Sequence, residues 1–201
     1  MGAIKNAKLR EQFYPDWICR FYVHPNVPSV YVDELKNIPK TEIILRDDSS
    51  NWTSLFWRFE AISDSDVSIM ISRDTDSRFS QREVDAVTAF ENSGALFHIM
   101  RDHPHHGFFV LGGMFGVKKG ILDDMKDLCN NFTRTDDYGT DYRFFESLTR
   151  RIAASHVLIH DPFFAKIPFP TERKNFEFVG QVFDEFENPI PDHIEALKKF
   201  I

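Results

Sequence analysis

The 201-residue chain has only two cysteines, Cys19 and Cys129, too few for a disulfide framework. Cys19 falls in an apolar strand pattern and Cys129 in a helical one, so both read as buried thiols of a reducing compartment. The chain has no apolar run near the ~18 residues that a membrane span needs, and no secretory leader is expected. A cytoplasmic protein without a membrane span is expected. Basic residues are not in excess either: the net charge is −7. A nucleic-acid partner, whose phosphates require a basic face, is therefore not expected. Repeats, low-complexity segments and breaks in composition are also missing, so residues 1–201 read as a single domain. What is abundant is phenylalanine, at 21 residues, so the core is expected to be aromatic.

Strand patterns at residues 18–23, 42–45, 67–71, 96–100 and 156–159 alternate with helical patterns at 1–13, 30–36, 55–62, 121–132, 142–154 and 191–200. Residues 47–54 read as a polar loop, and 176–183 as a further strand. Residues 108–117 are apolar, with a Gly112-Gly113 break. Ser80-Gln81-Arg82-Glu83 is a capping box, and it opens a helix with Val84, Val87 and Phe90 on one face and Gly94 as its stop. The alternation predicts an α/β domain, Rossmann-like, with a mainly parallel central sheet flanked by helices.

Chemistry is concentrated where such strands end. The buried strand at 67–71 runs into Arg73-Asp74-Thr75-Asp76-Ser77-Arg78. Open α/β sheets bind ligands at the carboxyl ends of their strands. Asp-x-Asp there offers hard oxygen ligands suited to Mg²⁺ or Mn²⁺. The same residues also make good turns. Three more places project polar groups: Asp102 with His103, His156 and His160 with Asp161, and Asp141 after the Gly139 turn. His156 begins its strand and reads as a core histidine. Asp141 reads equally as a helix cap, and Arg58, set among aromatics, as a side chain snorkelling over the core. His98, His103, His105 and His106 are dense, but they lack cysteines and a helical i, i+4 pair, so they are not read as a zinc site.

In order along the chain, these residues resemble GT-A fold glycosyltransferases of the glycogenin and lipooligosaccharide galactosyltransferase kind. They are also similar to small glycosyltransferase domains of large algal viruses. The resemblance covers most of residues 55–170. It implies a GT-A-like domain in which Asp74 and Asp76, with His160, hold Mn²⁺ (or Mg²⁺) against a nucleotide-sugar diphosphate. Arg58 and Lys166 would reach the donor, Gly112 and Gly113 would lie beneath the sugar, and Asp102 and Asp141 would face it as catalytic carboxylates. The order His160, Lys166, Pro168 carries the late part of the match. The implied activity is transfer of a hexosyl or deoxyhexosyl group from a nucleotide sugar, expected to be a UDP-sugar, to a glycan or other hydroxyl acceptor, with retention. There are departures. Tyr142 stands where the family has Gln, Phe163 replaces a Gly, and Ile167 separates Lys166 from Pro168. The family's opening strand, whose tip holds the base, has no counterpart before the first helix, so the chain reads either as lacking it or as a piece of a longer one. Two other readings are a haloacid-dehalogenase-type phosphatase, against which Arg78 occupies a position that family gives to Thr or Val, and a non-catalytic sugar- or nucleotide-binding domain.

Overall fold

The computed structural model describes residues 1–48 and 51–201. Two early strands, β1 (Cys19–Val23) and β2 (Thr41–Leu45), pair in parallel as a sheet of their own. Helices α1 (Gly2–Phe13) and α2 (Ser29–Lys36) cover them, with Ile4, Ala7 and Leu35 buried against Phe21 and Ile43. A 3₁₀ helix (Trp52–Ser63) follows, so the polar loop read at 47–54 ends early, and its residues 49–50 lie outside the described residues.

The larger sheet has four strands in the order β3-β5-β4-β6: β3 (Ile69–Arg73), β4 (Phe97–Met100), β5 (Met114–Lys118) and β6 (Val157–His160). β4 and β6 pair in parallel and β5 runs antiparallel to both its neighbours, so β3, β4 and β6 all point the same way. The expectation of an α/β domain with a mainly parallel central sheet holds for three of these four strands, and β5 alone makes the sheet mixed. The reason lies between β4 and β5. A parallel return needs a crossover, usually a helix. Residues 101–113 form none, so the chain doubles back. Residues 176–183 are not a strand either. They make only isolated bridges, Ser77 with Val182 and Phe183 with Pro189, around Gly180 at φ 84°.

Helix α3 (Gln81–Asn92) starts where the capping box put it, and the Ser80 hydroxyl accepts the Glu83 N–H at 3.3 Å. The Glu83 carboxylate does not reach back. It is fully buried, 2.8 Å from Arg73, and accepts from the Tyr14 hydroxyl at 3.2 Å. The helical pattern at 121–132 forms only as α4 (Met125–Asn131), and that at 142–154 divides into α5 (Thr140–Ser147) and α6 (Thr149–Ala153). At the division the Ser147 hydroxyl donates to the Phe144 carbonyl at 2.6 Å, a local bond that competes with the helical ladder. The last helix, α7, is Pro191–Lys198.

The phenylalanines meet as expected. Phe56, Phe59, Phe115, Phe144 and Phe145 form one buried cluster, with ring centroids 5.0 Å apart for Phe59–Phe145 and 4.9 Å for Phe115–Phe145. Burying each ring contributes about 1.5–3 kcal/mol, and each well-placed pair about 0.5–1.5 kcal/mol more. This cluster fixes the 3₁₀ helix on the sheet. At three residues per turn, side chains three apart eclipse. Phe56, Phe59 and Ile62 therefore make one fully buried row, while Leu55, Arg58 and Ala61 make the next row, which lines a cleft.

Candidate active site at the end of strand β3

Two clefts meet beyond the carboxyl end of β3. A smaller one of about 460 Å³ is lined by Arg58, Asp74, Asp76, Gly112, Gly113 and Asp141, together with histidine and aromatic side chains. A larger one of about 1090 Å³ runs along β3 and also reaches Arg58, Asp74 and Asp76. The structure thus gathers six of the nine residues expected at the site.

The placement of each has a local cause. The β3 strand hands the chain to a tight turn in which the Ser77 hydroxyl donates to the Asp74 carbonyl at 3.0 Å. Arg73, which lines the larger cleft, is held by the turn itself. Its guanidinium donates to the Gly113 carbonyl at 3.1 Å and to Ser77 Oγ at 3.2 Å, which ties the turn to the strand opposite. Gly112 and Gly113 allow a close approach. A Cβ on Gly113 would fall inside the Asp74 carboxylate, and one on Gly112 inside that of Asp141 and 2.8 Å from Arg58 Nη2. Asp141, in the first turn of α5, is 6% exposed.

Arg58 organises the charges. It donates a very short hydrogen bond to Asp74 and lies 3.9 Å from Asp141. Its Nε, also buried, has no partner among the described residues. Burial would raise the Asp74 pKa, but the charge and hydrogen bond of Arg58, helped by Arg73, hold it below the usual carboxylate range. Asp76 is pushed the other way, first by burial and then by the charge of Asp74. Burial also raises Asp141, against the pull of Arg58.

A metal ion fits part of this set. Asp74, whose side chain is 48% exposed, and Asp76 present hard oxygens to the same cleft. His160 does not join them. It is 5% exposed, its Nδ1 is 2.8 Å from His98 Nε2, and its ring packs on Phe169. Among the described residues no group of three His, Cys, Asp or Glu side chains is arranged to hold an ion. The histidines are in fact exchanged relative to expectation: His156 is exposed and His160 is buried.

Two other expected residues lie elsewhere. Asp102 is fully buried and lines neither cleft. Its carboxylate accepts from Arg82 at 2.7 and 2.8 Å, from Arg173 at 2.7 Å and from the Val179 N–H at 2.9 Å. With those positions filled it ties α3 and the segment 173–179 to the end of β4. Lys166 is exposed, at φ 59° in the turn closed by the Asp161–Ile167 bridge, and lines neither cleft.

No family model matches the chain, and no curated protein matches it. Solved structures are similar to it. Among them is a glycosyltransferase involved in the glycosylation of the major capsid of PBCV-1, with 16% identity, 72% of this chain and 82% of that chain covered, and a TM-score of 0.45. That likeness carries no argument about chemistry, which rests on the cleft itself.

The sequence reading missed the cleft's rim. Phe108 stacks on Tyr142 at 3.9 Å, Tyr142 meets Tyr138 edge-on at 5.9 Å, and Tyr138 meets Trp52 at 5.7 Å. Trp52, Tyr138 and Phe108 are exposed. For Trp52 and Tyr138 the signal was an aromatic residue standing in a polar loop, whereas Phe108 opens an apolar run. His103 and His106 line the cleft; His103 has both ring nitrogens engaged, Nε2 with the His193 carbonyl at 2.9 Å, and His106 has one. His103 Nδ1 accepts the His105 N–H and His106 Nδ1 the Asp102 N–H, both at 3.1 Å. Burial is the main cause lowering both pKa values, so both rings are neutral.

Proposed function

We propose that the chain is a metal-dependent glycosyltransferase that moves a hexosyl or deoxyhexosyl group from a nucleotide-diphosphate sugar, a UDP-sugar in the first instance, to a hydroxyl of a glycan acceptor. The observation that carries this reading is the convergence of Asp74, Asp76 and Asp141 on one cleft with Arg58, whose Nε–H is unused. Burial is the main cause raising the Asp76 and Asp141 pKa values, and a cation bound beside Asp76 would offset the neighbouring charge of Asp74. Asp74 and Asp76 would hold Mn²⁺ or Mg²⁺. Such an ion, when bound, acts as a Lewis acid on diphosphate oxygens. Arg58 offers preorganised positive charge to the same oxygens. Asp141 stands 3.9 Å from Arg58, on the side where a sugar would lie, and its carboxylate would steady positive charge developing on the sugar carbon. Gly112 and Gly113 leave room beneath. The exposed aromatic rim offers flat apolar faces to the rings of an acceptor glycan and keeps water off the reacting carbon. Retention of configuration is the outcome that the order of motifs favours.

Incubation with a nucleotide-sugar panel and Mn²⁺, following nucleotide and phosphate separately, tests the proposal. Nucleotide release that depends on metal and acceptor supports it. Phosphate release without nucleotide would instead indicate a phosphatase, and tight binding without turnover a binding domain.

A further inference from the structure

The turn that follows β4 sets two histidine rings against the smaller cleft and leaves them in different states. A main-chain N–H only donates, so the ring nitrogen that meets it must accept. The His105 N–H fixes Nδ1 of His103 as an acceptor, and the Asp102 N–H does the same for Nδ1 of His106, both at 3.1 Å. A neutral imidazole in this state carries its proton on Nε2. In His103 that proton is used, on the His193 carbonyl at 2.9 Å. In His106 it is not: Nε2 has no partner among the described residues, and the atom is not sealed in the interior.

The His106 ring is held in one orientation. Its own main-chain N–H donates to the His103 carbonyl at 2.9 Å and closes the turn. The His103 ring lies 5.5 Å away, and Phe178 meets His106 edge-on at 5.9 Å. The Asp102 peptide that fixes the tautomer is itself anchored, because the Asp102 carboxylate accepts from Arg82, Arg173 and the Val179 N–H. With protein on those sides, the cleft is the space left to Nε2–H. Nε2 already carries a proton, so the ring is no general base there. It is also uncharged, because burial and the neighbouring His103 and His193 hold its pKa well below the usual range. A fixed, neutral donor suits a neutral oxygen. A phosphate needs positive charge, which Arg58 offers.

We infer that His106 is a specificity-determining residue of this cleft, and that its Nε2–H donates to a hydroxyl oxygen of the sugar carried by the nucleotide donor. The inference rests on the reading of the cleft as a sugar-nucleotide site. A sugar hydroxyl donates one hydrogen bond and accepts others. Asp141, in the same cleft, can take the first part, and His106 serves the second. A site built to bond such a hydroxyl rejects the sugar that lacks it, because the protein group is left unpaired. The sugar rather than the nucleotide is concerned. His106 lines the smaller cleft together with Gly112, Gly113 and Asp141, and it does not line the larger one.

Calorimetry on the full chain with Mn²⁺ tests it, with UDP, UDP-glucose, UDP-galactose and the monodeoxy analogues of both hexoses as probes. Two variants separate the ring nitrogens. His106→Asn keeps an oxygen near the Nδ1 position for the Asp102 N–H and removes the donor at Nε2, whereas His106→Gln carries an amide N–H out to that reach. The wild type is expected to bind one UDP-hexose more tightly than UDP, and to bind one of its monodeoxy analogues about ten- to hundredfold more weakly. His106→Asn should bind that hexose and that analogue alike, His106→Gln should recover part of the difference, and all three proteins should bind UDP equally. Discrimination that survives in His106→Asn would overturn the inference. So would UDP affinity that falls in His106→Asn, which would put the N–H on the nucleotide. Wild type that binds UDP and gains nothing from either hexose would overturn the inference alone. Wild type that binds neither UDP nor the hexoses would overturn the sugar-nucleotide reading of the cleft, and the inference with it.

Discussion

The His98–His160 pair makes the chain's stability sensitive to acid in a way that can be worked out. Both rings are buried, they share one 2.8 Å hydrogen bond, and His98 stacks on Phe90. Burial lowers the His160 pKa to about 4, with a further push from the Arg82 charge, and lowers His98 to about 3, with a further push from His160. Both are bases whose folded pKa lies below the unfolded value of about 6.5. Above that value both rings are neutral in either state, and their full contribution to stability is present. As the pH falls below about 6.5 the unfolded chain takes up protons that the folded one refuses, and stability is lost until the folded pKa values are passed. For His160 alone, the loss between pH 7.5 and 4.5 is about 2.5 kcal/mol. That is a large share of the ~5–15 kcal/mol of a typical domain. Urea unfolding followed by tryptophan fluorescence at both pH values measures it. His160→Asn removes one titrating ring, so its loss over this interval is expected to be smaller than wild type by about that amount, the carboxylates cancelling in the difference. Parallel pH curves for the two proteins would refute the reasoning. If the same variant also lost Mn²⁺ binding by calorimetry, the ring would have to reach the metal, as the family resemblance implies.

The other predictions concern the carboxylates and the lysine. Asp102→Asn leaves Arg82 and Arg173 buried without their countercharge and is expected to destabilise by about 3–5 kcal/mol in urea unfolding; a stable but inactive variant would return Asp102 to the chemistry. Mn²⁺ affinity measured by calorimetry is expected to weaken as the pH is lowered, because burial and the Asp74 charge raise the Asp76 pKa and protons compete with the ion. Asp76→Asn should remove that dependence together with most of the binding, and unchanged Mn²⁺ affinity would take the ion elsewhere. Lys166→Gly relieves a left-handed backbone at an exposed turn and is expected to raise stability by about 0.5 kcal/mol without changing kcat; a fall in kcat would show that the lysine reaches the diphosphate.

Much of the fold was legible because its signals are local. The Ser80 cap, the strands at 18–23 and 96–100 and the terminal helix each lie within about two residues of their expected positions, the margin at which element boundaries are defined at all. What was hidden depends on partners distant in sequence. The direction of β5 is set by the missing crossover at 101–113, and nothing inside 114–118 announces it. His156 and His160 flank the same short apolar strand, and its pattern cannot tell which end is covered. Sheet order decides: β6 lies against β4 with His160 opposite Met100, which places it beside His98. Asp102 was read as chemistry because it ends a strand. The arginines that saturate it come from 20 and 71 residues away.

Arg58 shows how far a local detail reaches into function. Read as an α-helix, residues 55–62 set Arg58 about 60° from Leu55, on the same face as Phe59 and Ile62, where a long cation snorkels over a core. The chain instead forms a 3₁₀ helix, whose period is three. Phe56, Phe59 and Ile62 then fall in one row and take the core together, each fully buried. Arg58 moves to the adjacent row, about a third of a turn away. From there it reaches Asp74 and Asp141 across the cleft. The aromatic spacing of three, which favours the tighter helix by giving it a continuous buried stripe, is therefore also what delivers the site's cation.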